Sequence, residues 1–303
     1  MKVLIIGLGS IAAKHIAALR RIDYAIEIYA LRSSRSSVGH DGITNLYSYD
    51  DISGITFDFI IIANPTSEHD RTIHKLLEFN IPLFIEKPLS HAKVDIALIK
   101  QLQSQSLLTY VACNMRFLDC LKYVKEHVRG RINEINVYCG SYLPQWRPNI
   151  DFRKNYSAIP ELGGGVHLDL IHELDYIYWM FGEPLSVSKL LSNHSSLEIE
   201  SVDYANYILE YNGFSASVIL NYFRRDAKRS FEIIFDDRTW YVDLLTNTVY
   251  CNGDIIYNSD QADLDTYIEQ MSYFMMLVKN KETMSFNTVG DANNVLNICL
   301  GYE

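Results

Sequence analysis

The first fifteen residues, MKVLIIGLGSIAAKH, constrain the fold more than any other stretch of the chain. Lys2 to Ile6 is a short unbroken apolar run that stops at glycine, and Ile11, Ala12, His15, Ile16, Ala18 and Leu19 then recur at helical spacing. Strand, tight turn and helix therefore follow one another, with Gly7, Gly9 and Ala12 forming a G-x-G-x-x-A pattern in the turn. Gly7 permits the turn, Gly9 lets the backbone approach a pyrophosphate, and Ala12 keeps helix and strand close. The diphosphate then sits on the helix N-terminus, where Ser10 and Ile11 stand. Such a pattern is common; its place directly after an N-terminal strand is what predicts a dinucleotide site.

Further apolar runs at Ile26 to Leu31, Phe57 to Ala63, Pro82 to Ile85 and Thr109 to Asn114 alternate with helical segments near Glu68 to Phe79 and Ala92 to Ser104. Strands without polar alternation are buried on both faces, so residues 1–118 are expected to form an α/β Rossmann domain with a doubly wound parallel sheet. Beyond residue 118 the texture changes. Ile132 to Tyr142, Tyr204 to Tyr211, Ser215 to Tyr222, Phe231 to Phe235 and Trp240 to Leu244 alternate with period two, separated by turns such as Asn212-Gly213 and Asp236 to Arg238. Residues 119–303 are thus expected to form an α+β domain with a large, mainly antiparallel sheet. Helices near Leu162 to Phe181 and Asp263 to Lys279 are available to cover it.

Composition narrows the function. Lys plus Arg number 27 against 37 Asp plus Glu, a formal charge of −10, and no basic tract tracks a phosphate backbone, so nucleic acid is not an expected partner. The five cysteines are scattered, with no C-x-x-C, as for reduced thiols in a cytoplasmic protein. No stretch approaches the roughly 18 apolar residues that cross a bilayer. The nine histidines contain no H-x-x-x-H or H-E-x-x-H, so no metal is expected, and there is no G-x-S-x-G elbow.

At the end of the second strand, where Asp or Glu would hold the ribose 2′-hydroxyl of NAD, the chain reads Leu31-Arg32-Ser33-Ser34-Arg35. The guanidinium forks of Arg32 and Arg35 and the hydroxyl of Ser33 suit a 2′-phosphate, so NADP(H) is the expected cofactor and NAD(H) the second option. Lys87 falls at the carboxyl end of a parallel strand, the edge where open α/β sheets bind ligands, and a partly desolvated ammonium there exchanges a proton with a hydroxyl. Asp169 and His172 follow Gly163-Gly164-Gly165 and lie three residues apart. On one helix they point within about 60° of each other. An imidazole beside a carboxylate suits alcohol oxidation, taking the hydroxyl proton while the cofactor takes hydride; His167 points the other way. In the loop from Leu143 to Pro148 two prolines add stiffness, Trp146 offers a flat face for a sugar ring, and Arg147, Arg153 and Lys154 offer a place for phosphate or carboxylate.

GLGSIAAKH, ANPTSEH at 63–69, Glu86-Lys87-Pro88, Asn114 with Arg116 and Phe117, and ELGGGVHLDLIHELD at 161–175 together resemble the glucose-fructose oxidoreductase, inositol dehydrogenase and MocA family, in the right order along the whole chain. The resemblance implies an NAD(P)-dependent oxidoreductase acting on a CH–OH group of a sugar, more a nucleotide- or phospho-sugar of glycan biosynthesis than a free one. It implies that Lys87 is the catalytic lysine, with Asp169 and His172 completing the catalytic set. Cofactor contacts would come from Asn64, Pro65, His69 and Glu86, and substrate contacts from Arg116, Trp146, Arg147, Tyr156 and His172. The family pattern D-x-x-x-H is here D-x-x-H, which affects Asp169 more than His172 and leaves Asp175 as an alternative support. Two other readings are a redox-neutral glycosidase or epimerase that uses bound NAD, and a catalytically silent nucleotide sensor. Of 21 Tyr and 13 Phe, five of each precede residue 118. The surplus, including Tyr204, Tyr207, Tyr211 and Tyr222, suggests a sheet face, and the resemblance then implies a homodimer or homotetramer joined through it.

Overall fold

The computed structural model describes residues 1–35 and 40–301. It divides into two units, Met1–Asn114 with Ala262–Asn293 and Met115–Gln261 with Asn294–Glu303.

The first unit opens with β1 (Lys2–Ile6), α1 (Ser10–Ile22), β2 (Glu27–Leu31), β3 (Ile43–Leu46), β4 (Phe59–Ile62), α2 (His69–Leu76), β5 (Leu83–Glu86), α3 (Ile96–Ser104) and β6 (Thr109–Ala112). Its six strands pair in the order β3-β2-β1-β4-β5-β6, all parallel. Val3, Leu4 and Ile5, Phe59 to Ile62 and Leu83 to Ile85 are fully buried, as strands covered on both faces require. Strand order reverses between β1 and β4, which opens a ligand crevice outside their carboxyl ends. Gly7 sits there with φ +90°, and a Cβ on it would lie 2.8 Å from Asn64 Cα, so only glycine allows the two loops to meet.

The second unit continues with α4 (Asp119–His127), β7 (Ile132–Tyr142), α5 (Leu143–Trp146), α6 (Val166–Asp169), α7 (His172–Phe181), β8 (Ser186–Ser192), β9 (Tyr204–Tyr211), β10 (Phe214–Asn221), β11 (Phe223–Phe235), β12 (Thr239–Asp243), β13 (Thr248–Cys251) and β14 (Asp254–Asn258). Its sheet runs β14-β13-β12-β11-β7-β10-β9-β8 and is mixed: β7 and β10 are parallel, and the other pairs are antiparallel. The Asn212-Gly213 turn closes the β9–β10 hairpin, with Gly213 at φ +102°. Ile135, Val137, Val218, Phe231 and Ile233 fill the covered face, and Tyr176 of α7 lies against Phe231 with ring centroids 5.6 Å apart. Strands β8, β13 and β14 escape the sequence reading because they are short and partly polar.

Two expectations are corrected here. The chain returns to the first unit through α8 (Asp263–Lys279), followed by α9 (Val289–Leu300), so a single boundary at 118/119 misplaces residues 262–293. Phe274 of α8 is fully buried, with its ring 5.3 Å from that of Phe59 and 5.4 Å from that of Phe84. An amphipathic helix shows that it needs a sheet without showing which one. Three of the four tyrosines singled out for a subunit interface also turn inward, while Tyr204 stays partly exposed. Tyr207, Tyr211 and Tyr222 are buried within the second unit, and the Tyr207 hydroxyl donates to the Cys299 carbonyl at 2.9 Å.

Candidate active site

A cleft of about 620 Å³ opens beyond the carboxyl ends of β1, β2 and β4, bordered by Gly7, Leu8, Arg32, Ser33, Asn64 and Pro65. A Cβ placed on Gly9 would meet nothing within 4 Å, so the space in front of the α1 N-terminus is open, as a diphosphate requires. Ser10 is exposed beside it, Ile11 partly so, and Ala12 is buried against the sheet. Arg32 donates to Asn45 Oδ1 at 3.2 Å, and the Arg35 guanidinium lies 5.0 Å from the centre of the Tyr47 ring. Arg71 and Lys75 of α2 also border the cleft and were not singled out in the sequence. Their spacing of four, which places both on one helix face, was the available signal. Lys75 lies over the Tyr49 ring at 4.7 Å, and Arg71 pairs with Glu68 at 3.4 Å.

Two buried histidines brace this unit from within. His69 lies between the carbonyls of Asn64 (3.1 Å) and Pro88 (3.0 Å), ties the loop after β4 to the segment after Lys87, and does not face solvent. Burial pushes its pKa down, so the ring is neutral and its single N–H serves one carbonyl. His15 of α1 meets Glu86 at 2.5 Å, and the other Glu86 oxygen accepts from the Lys87 backbone N–H at 3.2 Å. The Glu86 carboxylate is therefore directed at α1 and at its own neighbour. Lys87 emerges partly exposed at the carboxyl end of β5.

In the second unit the glycine-rich segment has a packing role. Gly163 and Gly165 take φ +89° and +135°, and a Cβ on Gly164 would fall on the Tyr156 carbonyl and within 2.8 Å of that of Ile159. Only glycine lets residues 156–159 lie this close, which brings Tyr156 to Asp169. The Tyr156 hydroxyl donates to Asp169 Oδ1, and the Tyr222 hydroxyl donates to Oδ2 at 2.5 Å. Asp169 and His172 are both buried, yet they do not share a helix. Leu170 turns to φ −101°, ψ 30°, α6 ends at Asp169 and α7 begins at His172, so the 60° argument for a continuous helix does not apply. Tyr222 was missed because it lies 53 residues from Asp169.

Arg116 does not present its guanidinium as a substrate contact is expected to. It is buried and grips Asp175 through Nε and Nη2 at 2.9 and 2.7 Å, which occupies both oxygens of the alternative support for His172. Trp146 is anchored to its own unit and still presents part of its face. Its indole N–H donates to Ser141 Oγ at 2.9 Å, its ring stands edge-on to Tyr222 with centroids 5.3 Å apart, and 38% of it remains exposed. Arg147 donates to Asn155 Oδ1 in the same loop.

His167 gives a pH dependence. Burial, reinforced by the Lys189 ammonium, pushes its pKa down to about 4, while the Asp169 charge acts in the opposite direction. An unfolded histidine titrates near 6.5. The unfolded chain thus takes up a proton that the folded chain refuses as pH falls from about 6.5 to 4. This stabilisation is complete above pH 6.5 and declines toward pH 4, by on the order of 3 kcal/mol. Urea unfolding at pH 7 and pH 5 should show a smaller loss in His167→Gln than in the parent; equal losses would assign the pH dependence to other groups.

Comparison with known proteins gives matches over both units. The family model described as oxidoreductase family, NAD-binding Rossmann fold, matches residues 1–111, and the GFO/IDH/MocA C-terminal domain matches residues 117–240. Myo-inositol 2-dehydrogenase of Thermotoga maritima is 23% identical, covering 100% of this chain and 94% of that protein. Scyllo-inositol 2-dehydrogenase (NAD(+)) of Bacillus subtilis is 28% identical over 52% of this chain and 46% of its own. Among solved structures, UDP-N-acetylglucosamine 3-dehydrogenase of Acidithiobacillus ferrooxidans superposes with a TM-score of 0.80 at 20% identity, covering 99% of this chain and 96% of that one. Levoglucosan dehydrogenase in complex with NADH superposes with a TM-score of 0.84 at 17% identity, covering 99% and 95%. At these identities the structural likeness is one of fold.

Proposed function

This chain belongs to the GFO/IDH/MocA family of oxidoreductases, and from that membership we propose that it moves hydride between NADP(H) and a ring hydroxyl or ketone of a sugar, a nucleotide- or phosphate-bearing sugar in preference to a free one. One observation carries the reading: the same chain holds a nucleotide-sized cleft at the switch point of a parallel sheet and a buried carboxylate, Asp169, gripped by two phenols. When bound, the dinucleotide supplies the hydride chemistry. Gly7, Gly9, Ser10, Ile11 and Ala12 would hold its diphosphate, and Asn64 and Pro65 would lie along it. Arg32, Ser33 and Arg35 would receive the 2′-phosphate; Glu68, the carboxylate bordering the cleft, is already paired with Arg71. His69 and Glu86 act indirectly by bracing these loops.

We assign the hydroxyl proton to Lys87 and His172 and the orientation of the hydroxyl to Asp169. Trp146 supplies a sugar face, and Arg147 supplies a cation for phosphate. The open face of the eight-stranded sheet, where Tyr138, Ser217, Ile219 and Tyr241 border a hollow of about 210 Å³, is our candidate for joining copies into a homodimer or homotetramer. A monomeric mass by light scattering would remove that assignment.

The direct test follows nicotinamide absorbance with both cofactors against free sugars, sugar phosphates, UDP-sugars and cyclitols. Turnover of a phosphate-bearing sugar is expected, with NADPH bound more tightly than NADH and the preference erased in Arg32→Glu. Equal affinities in the parent would refute the NADP assignment. Tight NADPH binding without turnover of any sugar would refute the oxidoreductase reading.

A further inference from the structure

Tyr222 sits between β10 and β11, fully buried, with its backbone tied in both directions: its N–H donates to the Asp203 carbonyl at 3.0 Å, and its carbonyl accepts from Leu143 N–H at 2.8 Å. The ring is therefore fixed relative to the sheet. It does two things from there. Its hydroxyl reaches Asp169 Oδ2 at 2.5 Å, and its ring meets that of Trp146, an exposed aromatic just after β7, in a T-shaped contact. Packing against Trp146 would need only a phenyl ring; the buried hydroxyl serves Asp169, with the Ser157 side chain also hydrogen-bonded to it. Burial and the adjacent carboxylate push the phenol pKa up, so the group remains a donor.

We propose that Tyr222 is the positioning residue of the second unit: it holds the Asp169 carboxylate from the side opposite Tyr156 and carries Trp146, so one side chain sets the carboxylate and the aromatic platform together. This rests on the reading that Asp169 orients the reacting hydroxyl. Tyr156 approaches from a turn created by Gly164, whereas Tyr222 approaches from the sheet, so the carboxylate is held between two independent elements. A carboxylate accepting from both sides cannot swing, which fixes the direction in which it meets the substrate hydroxyl.

The test is a double-mutant cycle on the full chain, assayed with NADP+ and the panel sugar that the parent turns over fastest. Tyr222→Phe keeps the ring beside Trp146. It should lower kcat by roughly 10- to 100-fold, the worth of one hydrogen bond to a charged group, and leave KM for the sugar within about threefold. In an Asp169→Asn background the same substitution should cause no further loss, because its effect runs through that carboxylate. A Tyr222→Phe enzyme with parental kcat, or one whose loss persists in full beside Asp169→Asn, overturns the proposal while leaving the underlying reading standing. Parental turnover by Asp169→Asn alone overturns that reading and the proposal together. Should Tyr222→Phe fail to fold, 3-fluorotyrosine at position 222 retains ring and hydroxyl. Its fluorine resonance should move when Asp169 is changed to Asn, and an unmoved resonance overturns the proposal.

Discussion

Lys87→Ala should lower kcat by about 10²- to 10⁴-fold, the range for loss of a positioned proton-transfer group, while NADPH affinity stays close to that of the parent. The expectation follows from how the side chain is delivered. β5 ends at Glu86, its oxygens are held by His15 Nε2 at 2.5 Å and by the Lys87 backbone N–H at 3.2 Å, and the chain leaves the sheet at its carboxyl edge. The substitution removes the ammonium and keeps the peptide group that Glu86 fixes, so the nucleotide cleft should be undisturbed. Lys87→Arg preserves the charge, but a guanidinium does not release its proton near neutral pH, so it should not restore turnover. Steady-state rates with parallel fluorescence titration of NADPH separate the two quantities. Parental kcat in Lys87→Ala would take Lys87 out of the chemistry.

Asp175→Ala should destabilise the second unit by about 3–5 kcal/mol, because it strands a buried guanidinium. The side chains of Arg116 and Asp175 are each 2% exposed and joined by two hydrogen bonds at 2.9 and 2.7 Å. The cost of breaking such a pair exceeds the net worth of having it, so replacing both partners by apolar groups, Arg116→Met with Asp175→Leu, should recover most of the loss. All three tryptophans, Trp146, Trp179 and Trp240, belong to this unit, and Trp179 lies 5.8 Å from the Arg116 guanidinium, so tryptophan fluorescence in urea follows the relevant transition. An unchanged midpoint in Asp175→Ala would mean that the pair opens to water in solution. Arg116 would then return as a candidate substrate contact.

That pair also shows where reading the sequence stops. The resemblance made Arg116 a substrate contact and left Asp175 as an alternative support for the catalytic set; their mutual engagement across 59 positions was invisible. Asp169 behaves in the same way. Its proximity to His172 in the chain suggested a pair on one helix, yet the helix breaks at Leu170, and Tyr156 and Tyr222 from distant segments hold the carboxylate. Tyr222 itself stood out only as part of an aromatic surplus, because alternation reports that a residue faces one side of a sheet without reporting which side is covered.

By itself the sequence determined the parallel sheet of the first unit, the strand-turn-helix at Gly7 to Ala12, the alternating strands of the second unit and the family. Each of these is written in local periodicity or in the steric demands of single residues, which neighbours along the chain are enough to express. Only the tertiary structure decided that α8 returns to the first sheet, that Arg116 is committed to Asp175, that His15 and His69 brace the loops around Lys87, and that two phenols hold Asp169. The reason is physical: a buried polar group must find its partner wherever folding brings one within hydrogen-bonding distance, and that choice depends on contacts across the fold that residue spacing does not encode.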